Sequence, residues 1–185
     1  RKIISFLGNI TPRKNLLLFL KSVCMLDPNR YFIIILGKLK KRDKPEVIAR
    51  LNEIEKYRAK LIENSYIDID YFISNEREFS FLISLSDVIF VHYREHPHSS
   101  NILIKAMAHR KPVIVNKGYL MEKIVQQYNW RDAVESDPNQ IVKSIQELSH
   151  PNFQIEESSY QSFIRDHSPA SFEKSTMEAI SSLYQ

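Results

Sequence analysis

Apolar residues in this chain fall into two alternating rhythms, short β-branched or aromatic runs and longer stretches with helical spacing. The short runs predict strands near residues 2–7, 31–36, 67–72, 87–92, 112–115 and 132–135. Between the first two, residues 14–25 place Leu16, Leu17, Leu20, Val23 and Cys24 on one helical face, and Asp27-Pro28 stops that helix. Residues 44–64 predict a longer charged helix with Val47, Ile48, Leu51, Ile54 and Leu61 as its inner stripe. Further helices are predicted over 79–85, 101–108, 120–128 and 138–148, the last with Asp137 as N-cap. Beyond His150 the composition shifts toward Ser, Gln and Glu, and residues 172–184 read as a final helix.

Strands separated by helices imply parallel pairing with right-handed crossovers and a sheet covered on both faces. The expected fold class is therefore α/β, a Rossmann-like doubly wound parallel sheet of about six strands. Residues 1–150 form that domain, and 151–185 form a helical extension packing on it or crossing from it. Ligands of such sheets bind at the carboxyl ends of the strands. The candidate positions are then Gly8 to Lys14, Gly37 to Leu39, Ile73 to Asn75, His92 to Asn101, and Asn116 to Gly118.

Composition narrows the picture. With 185 residues and 43% hydrophobic content the chain suits one core. It opens on Arg1 and runs directly into a strand, which reads as a piece of something larger. A single cysteine, Cys24, rules out a disulfide framework or a Cys-based metal site and fits a reducing, cytosolic setting. No apolar run approaches the roughly 20 residues that span a bilayer. The net charge of +4 points to an anionic partner. Only 3 glycines occur, where average usage predicts about a dozen, so few positions suit a phosphate-cradling loop. Neither a complete P-loop nor a G-x-G-x-x-G is present, which gives an ATPase or an NAD enzyme no support. The run Lys38, Lys40, Lys41 and Arg42 lacks interleaved aromatics and reads as a solvated loop, with nucleic acid excluded as partner. His92, His96 and His98 share a loop interrupted by Pro97, which suits a cleft lining better than a metal site.

Five blocks in order resemble the carboxyl-terminal, donor-binding domain of GT-B glycosyltransferases of the group 1 type. They are Gly8-Asn9 followed by Lys14-Asn15; an apolar strand ending in Gly37-Lys38-Leu39; Ser86-Asp87-Val88 before a strand; Lys105-Ala106-Met107-Ala108-His109-Arg110-Lys111-Pro112-Val113-Ile114; and Gly118 with Glu122. The resemblance spans residues 3–148. It implies a retaining transferase that uses a nucleotide-diphosphate sugar, holds no tightly bound cofactor or metal, and faces an amino-terminal acceptor-binding domain. It also implies surface-polysaccharide synthesis in the cytoplasm, with peripheral association at the inner membrane face through that other domain.

The resemblance assigns a catalytic role to Lys14, which neutralises the leaving diphosphate; Glu95, two residues before the family's first glutamate position, takes over the contact to the transferred sugar if the loop is reshaped, and is otherwise a solvated loop carboxylate. Donor binding falls to Gly8, Asn9, Arg13, Lys14, Gly37, Ile73, Asn75, His98, Ser99, Ser100, Asn101 and Lys105. For Arg13 and Lys14 the plain alternative is a solvated helix start, and for Ser99 to Asn101 it is N-capping. Four positions depart from the family pattern. Asn9 replaces an arginine and loses a bidentate phosphate grip. Leu39 replaces a glycine. Pro97 and Lys105 replace the family's two glutamates, and an ammonium accepts no hydrogen bond from ribose. These departures keep open a non-catalytic binding or scaffolding domain, and the layout alone also admits another doubly wound protein such as an epimerase.

Overall fold

The computed structural model describes residues 1–38, 45–63, 65–71, 73–130 and 133–182. Five strands, β1 (Lys2–Phe6), β2 (Tyr31–Leu36), β3 (Tyr66–Ile69), β4 (Val88–Phe90) and β5 (Val113–Ile114), form one sheet in the order β3-β2-β1-β4-β5. Every pairing is parallel, with Ile4 beside both Ile33 and Val88. Alternation along each strand builds two cores, because successive side chains point to opposite faces. Ile4, Phe6, Ile33, Ile35, Val88 and Phe90 pack on one side, while Leu7, Ile34, Leu36, Ile89 and Val91 pack on the other.

The first side is covered by α1 (Leu16–Val23), α2 (Pro45–Arg58) and α6 (Pro138–Leu148), with Phe19, Ile54, Ile141 and Ile145 buried there. The second is covered by α3 (Glu76–Leu85), α4 (Asn101–Ala108), α5 (Leu120–Gln127) and α7 (Glu157–Asp166), through Ile83, Leu103, Met121 and Phe163. A last helix, α8 (Pro169–Ser182), follows α7. Strand order reverses between β1 and β4, and their carboxyl ends therefore splay helices to opposite faces and open a crevice.

Four local expectations are revised. The predicted sixth strand over 132–135 contributes only a parallel bridge from Val134 to Asn116 among the described residues. Asp137 accepts a hydrogen bond from Gln140 N and starts α6 three residues after Val134, which leaves no length for a ladder. The first helix opens at Leu16 rather than at 14. A 3-10 turn, Pro12–Lys14, precedes it, and Asn15 between them is left-handed at φ 59°. The charged helix ends at Arg58 instead of 64. The tail holds two helices where one is predicted; the polar face of α7 hides its buried Phe163, which meets the Tyr128 ring edge-on at 5.3 Å. Among the described residues no helix is long and apolar enough to cross a membrane.

Candidate functional site

Two glycines make the crevice. Gly8 follows β1 at φ 83° and Gly37 follows β2 at φ 148°, both outside the range of ordinary side chains. A Cβ at Gly37 would lie 2.3 Å from the Gly8 carbonyl oxygen, so the two strand ends touch backbone to backbone. A Cβ at Gly8 would lie 2.6 Å from Lys14 Nζ. The 3-10 turn folds Lys14 back over Gly8, where its ammonium donates to the Leu7 carbonyl at 3.0 Å.

Lys14 is only 8% exposed, and no carboxylate among the described residues pairs with it. Burial first, and the neighbouring Arg13 second, lower its pKa to about 8. The ammonium has three donors and the Leu7 carbonyl takes one. A desolvated cation with donors to spare is stabilised by an incoming anion. Beside it, Thr11 Oγ1 is buried without a hydrogen-bond partner.

Tyr93, after β4, is the central wall. Arg13 Cζ and Lys14 Nζ each lie 5.8 Å from its ring centroid. Its hydroxyl lies 3.1 Å from Ser100 Oγ, and Ser100 Oγ accepts from Ile102 N to cap α4. His96 is buried, with Nε2 3.2 Å from the Ser99 carbonyl and Nδ1 3.5 Å from Arg13 Nη1. A carbonyl only accepts, so Nε2 carries the proton and Nδ1 faces the guanidinium. The turn bearing the two cations and the amino end of α4 are thereby joined through one aromatic ring.

No protein-family model matches the chain, and no curated protein matches it. Solved structures do. The C-terminal domain of a glycosyl transferase group 1 family protein from Francisella tularensis superposes at TM-score 0.70 with 20% identity, over 90% of this chain and 85% of that domain. Sucrose-phosphate synthase from Thermosynechococcus elongatus superposes at TM-score 0.77 with 15% identity. HepE from Anabaena, solved in complex with UDP and glucose, superposes at 0.74 with 12% identity. This chain covers 99% and 97% of itself in those two matches but only 45% and 48% of the other chains. The fold is that of the carboxyl-terminal half of a GT-B glycosyltransferase.

In this fold the predicted residues divide into two sets. Gly8, Asn9, Arg13, Lys14, Gly37 and Ser100 gather at the β1/β4 crevice, with the exposed Ser99 and Asn101 on either side of Ser100 at the start of α4. Ile73, half-buried, and Asn75, whose side chain accepts from Arg77 N and caps α3, lie farther along the same edge. Lys105 is already engaged, because its ammonium pairs with Glu76 in the first turn of α3 and lies 5.2 Å from the Phe79 ring centroid. Glu95 is exposed and left-handed at φ 43°. His98 is exposed and meets the His96 ring edge-on at 5.6 Å. His92 lies away from both, buried against Phe90 and 3.2 Å from the Val134 carbonyl. Leu39, Lys40, Lys41 and Arg42 fall outside the described residues.

In the sequence Tyr93 is an aromatic able to stack on a base or sugar, a role outweighed by the commoner buried or rim position, and Asn15 enters only beside Lys14 in the first motif. The left-handed backbone at Asn15 was readable, since asparagine is the commonest non-glycine residue there. The position of the Tyr93 ring beside two cations had no signal in the chain.

Proposed function

We propose that this chain is the donor-binding half of a glycosyltransferase, taking a sugar from a nucleotide-diphosphate sugar to a glycan or lipid-linked acceptor. The observation that carries the reading is the buried, carboxylate-free Lys14 ammonium held over Gly8 at the strand-order reversal. As the sugar–phosphate bond breaks, charge grows on the departing diphosphate. Lys14 and Arg13 neutralise it from a site that needs no rearrangement. Free N–H groups near Gly8 and at the start of α4, with the Asn9 amide, supply further donors. These cations replace a divalent metal, consistent with a donor site that holds no tight cofactor.

Ile73 and Asn75 hold the base, Ser99, Ser100, Asn101 and His98 meet the ribose or phosphates, and Glu95 contacts the sugar in transit. Lys105 joins by leaving Glu76, an exposed pair worth only about 0–1 kcal/mol. The acceptor sits in an amino-terminal lobe that closes the cleft, and the pathway is surface-polysaccharide assembly in the cytoplasm at the inner membrane face. Solved matches of which this chain is about half support that two-lobed arrangement.

A second reading, donor binding or scaffolding without transfer, is favoured by one observation. Lys105, where the family pattern has its second glutamate, is paired with Glu76, and an ammonium accepts no hydrogen bond from ribose. Calorimetry of the 185-residue chain with UDP-, GDP-, ADP- and dTDP-sugars tests the proposal. Binding in roughly the micromolar range, weakened about tenfold or more by Lys14→Ala, is expected. Silence across the whole panel removes the donor-binding reading.

A further inference from the structure

An open cleft of about 420 Å³ lies on the far side of Tyr93, between the ends of β4 and β5. It shares the Tyr93 wall and Glu95 with the donor side but none of Gly8, Lys14, Gly37 or Ser99 to Asn101. Four segments distant in sequence supply its polar lining, chiefly Asn15, Arg94, Glu95, Asn116, Tyr119 and Glu135.

Two of those side chains are buried amides. Asn15 is 7% exposed and its side chain caps no helix and has no partner among the described residues. Asn116 is 5% exposed; its Oδ1 accepts from Tyr93 N at 3.3 Å, while its Nδ2 reaches only the Lys117 carbonyl at 3.5 Å. Neither amide is among the orphaned buried polar atoms of the described residues, so the Asn15 amide keeps access to solvent at the cleft and is open to a ligand there. A sugar hydroxyl both donates and accepts, as an amide does, and a carboxylate accepts from neighbouring hydroxyls. Glu95 provides that carboxylate from a left-handed backbone, and Tyr119 an aromatic wall.

The charges then decide which sugar. Lys117 and Glu135 pair with each other at 3.3 Å. Arg94 has no ion-pair partner among the described residues, and its backbone N–H, bonded to the Arg13 carbonyl at 2.8 Å, fixes where its guanidinium starts. An unpaired guanidinium at a cleft rim grips a carboxylate or phosphate bidentately.

We infer that this cleft is a second carbohydrate subsite, taking a sugar that carries an anionic group. It rests on the transferase reading only for its biological place, which is to hold the acidic sugar of an acceptor glycan beside the donor. Sugar and anion binding themselves do not depend on the diphosphate crevice.

Titration of the 185-residue chain with glucuronate, glucose 6-phosphate and glucose, followed by NMR, tests this. Binding of either acidic sugar about tenfold tighter than glucose is expected, and which of the two binds identifies the anion as carboxylate or phosphate. Arg94→Ala weakens that binding about tenfold. Asn15→Gly, which suits the left-handed backbone, weakens it about threefold. Lys14→Ala leaves it unchanged. Equal binding of glucose, no binding by any of the three, indifference to Arg94→Ala, or loss on Lys14→Ala each overturns the assignment. Because donor binding is read separately with nucleotide sugars, failure there leaves this result standing.

Discussion

Two lysines stand at the same edge of the sheet, one buried over Gly8 and the other half-buried on α4, and their surroundings are opposite. Lys14 is folded into the crevice with a carbonyl and an aromatic ring for company. Lys105 reaches across to Glu76, which lies in the first turn of α3. The comparison teaches that a cation marks an anion site when desolvation has removed water and no carboxylate has replaced it. The exposed pair is already neutralised and contributes little either way.

The largest effect expected comes from destroying the crevice itself. Gly37→Ala puts a methyl group 2.3 Å from the Gly8 carbonyl at a backbone angle alanine avoids. A loss of about 3 kcal/mol or more in urea unfolding is expected, with nucleotide-sugar binding lost as well. Retained stability would show that the two strand ends do not meet as described.

Next comes the charge of Lys14. Its pKa in the fold, about 8, is below the ordinary 10.5. The folded chain therefore binds fewer protons than the unfolded chain between those values, and stability rises with pH across that window. Lys14→Met accordingly raises stability at pH 7, by about 1–3 kcal/mol, and flattens that pH dependence. Ligand binding follows the opposite course. A bound diphosphate favours the protonated amine, so affinity falls as pH rises through about 8, by about tenfold near pH 9. A wild-type affinity independent of pH would remove Lys14 from the site. The smallest effect belongs to Lys105→Met, which should change stability by less than about 1 kcal/mol and diphosphate affinity by less than about threefold.

Much of the architecture was legible before any coordinates. Ile33 to Leu36 and Val88 to Phe90 are continuous apolar runs, and Ile3 to Phe6 is broken only by Ser5, as suits strands covered on both faces. The residues just after them, Gly8, Gly37 and His92 to Asn101, are where such a sheet places ligands. The misreadings share a cause. Val134 looks like strand but is cut short by the cap at Asp137, and α7 was hidden because Phe163 is a single large anchor in a polar stretch. Local competition between neighbouring elements settled both, and a propensity window does not weigh it.

What the chain determined alone was period and punctuation: which stretches alternate, where glycine permits a positive φ, and the order of strand and helix. Only the folded molecule decided proximity. Asn15, Glu95, Asn116 and Glu135 are scattered along the sequence yet line one cleft, and Lys14 lost its water because Tyr93 and Gly8 close around it. Burial and electrostatic environment depend on neighbours distant in sequence, so one lysine is desolvated with no carboxylate beside it while another forms a surface ion pair.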